Sequence, residues 1–344
     1  MNWNEVPKRK DRADFNRLLA VLRGGIPDRP CLFEFLLNDR LIRRVVPGPE
    51  PADDFTRLRR QALAFHRLGY DHAVVLIPGL SFAEQIIRPQ KETYSLNAGS
   101  VIRSREEFDR FAWPDPERAD YAILDRLAED LPQGMKLIPY SPNGVLENVI
   151  DLVGYEALCH LLMEDRALIE DIFAGVGERL FRYYALAVRH PQVGACIAND
   201  DWGFNTSTLL APEDLRSLVF PWYERIVELV HAEGKPVILH SCGYFEEIME
   251  DIIQDMGFDG RHSYEDQIMP VEDAYEKYHG RIALLGGIDV DFICRSSPEE
   301  VHSRALDMLE RAADRGGFAL GSGNSVPEYV PDANYFALIR AALD

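Results

Sequence analysis

Short apolar runs rich in β-branched residues alternate along the chain with longer stretches whose apolar positions recur every three or four residues. Eight such runs are Pro30 to Phe35, His72 to Ile77, Met135 to Tyr140, Val193 to Ala198, Pro236 to His240, Phe258 to Tyr264, Ile282 to Gly287 and Phe318 to Ser322. Each predicts a buried strand, and strands that alternate with helices predict a parallel sheet. The helical stretches carry their own signals. After the fifth run, Phe245, Ile248, Met249, Ile252, Ile253 and Met256 share one helical face. Ser297-Pro298-Glu299-Glu300 sets a Ser cap, a Pro at the first helical position and a Glu at the third, which is a capping box. Ala211-Pro212-Glu213-Asp214 and Val330-Pro331-Asp332 also place Pro and acid at helix starts, where unbonded N–H groups favour both. Eight strands each followed by a helix predict a TIM-type (β/α)8 barrel; a doubly wound dinucleotide fold would show G-x-G-x-x-G after a strand, and the sequence has none.

No Gly/Ser-rich linker divides the 344 residues, so the expectation is one barrel domain over residues 1–344, with 1–20 as an N-terminal extension. At 47% hydrophobic and 27% charged the chain has the balance of a cored protein, which excludes a disordered reading. Asp and Glu outnumber Lys and Arg by 57 to 37, a net charge of −20, and so negative a field repels phosphate backbones and anionic lipid. Neither nucleic acid nor a membrane is an expected partner. No apolar run approaches the roughly 20 residues that span a bilayer. The polar start, M-N-W-N-E-V-P-K-R-K-D-R, lacks the apolar stretch of a secretory signal, which predicts a cytoplasmic protein. The five cysteines are widely spaced without a C-x-x-C pair, which argues against a disulfide or structural zinc framework.

Chemistry in such barrels gathers at the carboxyl ends of the strands. Those ends read Glu34; Pro78-Gly79; Ser141 to Asn143 with Glu147 beyond; Asn199-Asp200-Asp201-Trp202; His240-Ser241-Cys242-Gly243; Glu265-Asp266; Asp289; and Ser322-Gly323-Asn324-Ser325. Any one of these is also a normal helix cap or turn former, so the signal lies in their convergence on one rim. Alternate strand residues point the same way, so His240 and Cys242 offer an imidazole and a thiolate to a shared Zn2+. Catalytic zinc takes three protein ligands and an open position, which leaves Glu147, Asp201 or Asp289 to complete the set. Without a metal, His240 is a satisfied polar residue and Cys242 a core filler. Adjacent Asp200 and Asp201 suit a cation or a cationic or hydroxylated substrate, or else divide into one cap and one inward acid. Trp202, Phe204 and Trp222 suit either an apolar pocket wall or plain core.

Taken together, H-S-C-G (240–243), L-L-G-G-I-D (284–289), A-P-E-D-L-R (211–216) with F-P-W-Y (220–223), and G-S-G-N-S-V-P-E-Y-V-P-D-A-N (321–334) resemble the uroporphyrinogen decarboxylase superfamily over roughly residues 20–343. The resemblance implies a single (β/α)8 barrel and one of two activities: cofactor-free decarboxylation of uroporphyrinogen, or zinc-dependent methyl transfer with a corrinoid protein. The chain departs from the decarboxylase where its chemistry lies. Its first strand reads C-L-F-E-F-L-L-N-D-R, with Glu34 near the place of the substrate-binding arginines of R-Q-A-G-R. Leu76-Ile77-Pro78-Gly79 stands for the F-S-D-I aspartate, Ser322 for the late histidine, and Asn148 falls near the tyrosine. A substrate with eight carboxylates needs cations, which here would have to come from Arg40, Arg43 or Arg88.

His240 and Cys242 match the methyltransferase ligands, but Gly323-Asn324-Ser325 stands where their late cysteine belongs. The expectation is therefore a methyltransferase that moves a methyl group from a small O-methyl or N-methyl donor to a corrinoid protein, with Zn2+ bound and cobalamin carried by the partner. In it His240, Cys242 and Asp289 are the metal ligands, Glu147 being the alternative to Asp289. Asp200, Asp201 and Glu147 are catalytic, and Glu34, Trp202, Asn324 and Asn143 line the substrate pocket. A lyase acting on another carboxylated substrate and a catalytically silent ligand-binding barrel remain alternatives.

Overall fold

A computed structural model describes residues 2–82 and 100–344. Seven parallel strands form one sheet in chain order: β1 (His72–Leu76), β2 (Lys136–Tyr140), β3 (Cys196–Asn199), β4 (Val237–His240), β5 (Gly260–His262), β6 (Ala283–Leu285) and β7 (Phe318–Ala319). Seven of the eight expected runs thus contain a strand. Because each strand pairs in parallel with the next, every carboxyl end lies on the same rim. Between β3, β4 and β5 the register sets Asn199 beside His240 and His240 beside His262.

The first run, Pro30 to Phe35, differs from expectation. It lies alongside β7 through a single parallel bridge, Leu32 to Leu320, in which the Phe33 N–H donates to the Leu320 carbonyl at 2.9 Å and the Leu320 N–H to that of Cys31 at 2.8 Å. The next rung would carry the Ser322 N–H to the Phe33 carbonyl. The Glu34 carboxylate accepts that N–H instead, at 3.3 Å, which interrupts the ladder until a second parallel bridge, Leu37 to Val326, where the Val326 N–H donates to the Leu36 carbonyl at 2.8 Å. Among the described residues no ladder joins this segment to β1, so the sheet is a curled, seven-stranded one.

Helix starts follow the sequence. Ser297 caps Pro298–Ala312 with the reciprocal Glu300 bond, and Pro331 precedes Asp332–Leu343. Pro212 opens a short turn that widens through Leu215–Val219 into the helix Phe220–Ala232. The stretch after β4 buries the expected face, with Phe245, Ile248, Met249, Ile252 and Met256 inside. Its winding is irregular, a tight turn at Glu246–Ile248 followed by a wide one at Asp251–Asp255. The wide turn carries the Met256 N–H back to the Asp251 carbonyl, so Ile252 and Met256 both reach the core while the Asp251 carboxylate holds Arg216 at 2.7 and 2.9 Å.

At the opposite rim the N-terminal residues pack beneath the sheet. Arg9, Arg17 and Arg29 converge on Asp71, just before β1, and Asp71 also accepts the Asp14 N–H at 3.0 Å. Among the described residues no helix is long and apolar enough to cross a membrane.

Candidate metal centre at the strand ends

His240 closes β4 with its ring 4.2 Å from that of Phe35 and its Nδ1 2.7 Å from Nδ1 of His262, the last residue of β5. His262 Nε2 lies 3.2 Å from the Ser322 carbonyl. Burial holds both imidazoles below the usual range, His262 at about 4, so both are neutral. Two residues beyond His240, the Cys242 N–H donates to Asp201 Oδ1 at 2.9 Å. A ring nitrogen of His240, Cys242 Sγ and a carboxylate oxygen of Asp201 all lie within 4.8 Å of one another. The turn that brings them together needs glycine: Gly243 has φ +91°, and a Cβ there would meet the Gly203 backbone at 2.3 Å.

The sulfur is held from the far side. Asn324 Nδ2 donates to Cys242 Sγ at 3.2 Å, and Ser263 Oγ lies 3.4 Å from it while donating to the Gly323 carbonyl at 2.9 Å. Burial and the Asp201 carboxylate push the thiol up to about 12. Among the described residues no Lys or Arg pairs with Asp201. One nitrogen, one sulfur and one oxygen, without a cation of their own, are a donor set that fits Zn2+. A bound dication would favour the thiolate that burial now disfavours.

The neighbouring carboxylates do different work. Asp200 accepts the Leu146 and Glu147 N–H groups at 2.8 and 2.9 Å, the Trp202 indole at 2.8 Å and the Tyr223 hydroxyl at 3.0 Å. Glu147 accepts the Gly144 N–H at 3.0 Å. Asp200 thus holds the start of the helix Val145–Val153 against the end of β3, while Glu147 caps that helix from within. Only glycine fits at 144, because a Cβ would meet the Asp200 Cβ at 2.1 Å. Burial pushes Glu147 up to about 8, with Asp200 adding to it, and pushes Asp200 up to about 7 against its four donors. Trp202 is fully buried against Phe220 and Tyr223. Asn143, exposed with φ +60°, donates to Asp151 at 3.1 Å. Asp289 lies outside the three-residue group: it caps Val290–Arg295 through the Phe292 N–H at 2.8 Å and accepts the Asp266 N–H at 2.9 Å.

Glu34 is fully buried with its carboxyl on the Ser322 hydroxyl at 2.6 Å, and burial pushes it up to about 8. Beside the centre, a groove of about 660 Å³ is lined by Asn205, Tyr264, Glu265, Asp289, Asn324 and Tyr329. Burial and Asp289 raise the Glu265 carboxyl. Sequence reasoning missed His262 and Ser263, reading them as strand interior. The signal was the β4–β5 register, which sets His262 beside His240 and is invisible in residue order.

The family model described as Uroporphyrinogen decarboxylase (URO-D) matches residues 61–344. The chain belongs to the uroporphyrinogen decarboxylase family. Within it, a uroporphyrinogen decarboxylase of Myxococcus xanthus is 24% identical over 288 residues, 78% of this chain and 77% of that one. One from Anaeromyxobacter dehalogenans is 29% identical over 133 residues, 38% of this chain and 36% of its own. Among solved structures, a methyltransferase from Methanosarcina mazei superposes with TM-score 0.72 at 18% identity, covering 96% of this chain and 98% of its own. Of the cations a decarboxylase of this family would require, Arg40 pairs with Asp332 and Glu328 and Arg43 lies 3.9 Å from Glu50. Arg88 lies outside the described residues.

Proposed function

We propose that this family member is a cytoplasmic, metal-assisted methyltransferase that moves a methyl group from a small O-methyl or N-methyl donor to a corrinoid protein. The observation that carries the reading is the convergence of Asp201, His240 and Cys242 at the ends of β3 and β4, with no Lys or Arg salt-bridged to Asp201 among the described residues. In this reading those three residues hold Zn2+, with Asp201 in the place assigned from sequence to Asp289. Residues 31–33 supply the eighth barrel position. A Zn2+ held there would supply a Lewis acid to the donor's oxygen or nitrogen, making the alkoxide or amine a better leaving group as its methyl passes to the Co(I) of the corrinoid protein. Asn324 steadies the sulfur and, with Tyr264 and Glu265, forms the groove wall against which the donor lies. The acidic groove repels a substrate bearing many carboxylates, and Glu34 offers it no cation. The Methanosarcina mazei structure supports the reading by showing this scaffold in a methyltransferase.

The test is zinc stoichiometry of protein purified without a chelating tag, followed by the Co(I) to methyl-Co(III) absorbance change with methoxylated aromatics, methylamines and a supplied corrinoid protein. Cys242→Ser and Asp201→Asn are expected to lower zinc content and methyl transfer together while leaving the fold intact, because a hydroxyl and an amide are poorer zinc ligands than a thiolate and a carboxylate. A metal-free wild type that leaves the cobalamin spectrum unchanged while converting uroporphyrinogen to coproporphyrinogen would overturn the reading in favour of decarboxylation.

A further inference from the structure

We infer that His262 is a positioning residue for the metal centre: through its contact with the Ser322 carbonyl it fixes the tautomer of His240, so that the His240 nitrogen facing Cys242 and Asp201 carries a lone pair and no proton. The inference rests on the metal-centre reading above and extends it to a residue outside the ligand set.

The proton positions follow from what each atom can accept. The Ser322 carbonyl is an acceptor only, so His262 Nε2, 3.2 Å away, carries a hydrogen. The two Nδ1 atoms are 2.7 Å apart, so one of them carries a hydrogen and the other is bare. Were His262 the donor in both contacts, it would be an imidazolium at zero exposure, and the polar groups against it, the Ser322 carbonyl and the His240 ring, include no carboxylate. His262 therefore accepts at Nδ1, and His240 donates its one N–H inward. With Nδ1 engaged by His262, Nε2 is the bare nitrogen of His240, and that atom is assigned to the group with Cys242 and Asp201, to which one of the two ring nitrogens belongs. A ring held this way has its donor atom oriented and made more basic before any ion arrives. Two strands in parallel register are enough to build the relay, since His240 and His262 are partners across β4 and β5.

The test uses Zn2+ and Co2+ themselves on the full chain, measured by competition against a chromogenic chelator, with His262→Phe and His262→Gln compared to wild type. Phe keeps a ring but offers His240 no acceptor, and Zn2+ affinity should fall about 10- to 100-fold. Gln presents a carbonyl to His240 and an N–H to Ser322, so its affinity should stay within about threefold of wild type. In the Co2+ form, the sulfur-to-cobalt charge-transfer band should persist in both variants, because Cys242 still binds, while the ligand-field bands shift only in the Phe variant. Thermal unfolding with chelator present reports whether either variant is merely unstable. Equal affinity for all three proteins would overturn the inference and leave the metal reading standing. Equal loss in Gln and Phe would overturn it too, making His262 a ligand. A wild type that binds neither ion would overturn both.

Discussion

The two rims of the sheet treat buried charge in opposite ways. Below β1, Asp71 is 1% exposed and meets the guanidinium groups of Arg9, Arg17 and Arg29, so its charge is compensated from within the chain. At the carboxyl rim, Asp201, Cys242 and the neutral His240 come together with no such partner among the described residues. The nearest buried guanidinium there, Arg261, alternates to the other face of β5 and lies between the rings of Phe245 and Tyr264, 4.1 and 4.6 Å away. What separates the rims is therefore the supply of counter-charge together with burial, since Asp71 is enclosed while Asp201 and Cys242 are half-buried. A rim that is closed on itself is structural, and one left electron-rich is where a cation from solution fits, in keeping with the usual division of labour in such folds.

The largest effect that would sharpen this contrast is expected at the closed rim. Asp71→Ala leaves three arginines around a buried void, and breaking a buried ion network from one side costs about 3–5 kcal/mol. The urea midpoint should fall accordingly, whereas the zinc bound per folded molecule should not change. A loss below about 1 kcal/mol would show that the arginines reach solvent easily and that the two rims differ less than their geometry says.

Much of this was legible in residue order. Strand alternation located seven strands, and H-x-C pointed to His240 and Cys242, two of the three side chains that the structure groups together, because both signals are local. Three things were not. The first run's ladder is interrupted where one side chain, Glu34, takes the Ser322 N–H, an event between residues 288 positions apart. Asp200 and Asp201 are indistinguishable as sequence, yet one holds a neighbouring helix start and the other meets Cys242, because adjacent residues at a strand end leave toward different neighbours. His262 needed the register. The candidate residues were legible locally, while the division of contacts among the carboxylates was tertiary.

Glu34 provides the intermediate test, because it is a buried acid at the carboxyl rim that pairs with a hydroxyl in place of a cation. Its folded carboxyl keeps a proton up to about pH 8, while the unfolded chain releases it near 4.5. Folding then takes up a proton between those values, so this group's contribution to stability falls as pH rises from 4.5 toward 8 and levels off above. Glu34→Gln has no proton to lose and can still accept from Ser322. Relative to wild type it should gain roughly 1–3 kcal/mol by the alkaline end of that window and little at pH 4. Denaturant titrations of both proteins across the range measure it. A constant difference between them would mean that Glu34 is ionised in the fold and that an unseen cation reaches it, which would erase the contrast between the rims.

The smallest expected effect decides between two carboxylates. Asp289 was the sequence's choice of third ligand, but both its oxygens accept backbone N–H groups, from Phe292 and from Asp266. Asparagine caps a helix about as well as aspartate, since its side-chain oxygen accepts the same N–H. Asp289→Asn should therefore change stability by only a few tenths of a kcal/mol, the cost of offering Asp266 an amide in place of its second oxygen. Zinc content should stay at the wild-type level, in contrast to Asp201→Asn, where the oxygen nearest Cys242 becomes a neutral, weaker donor. Metal analysis of the two variants side by side reads the difference directly. Zinc retained in Asp201→Asn and lost in Asp289→Asn would move the third ligand across the groove to β6, and the electron-rich side of the rim with it.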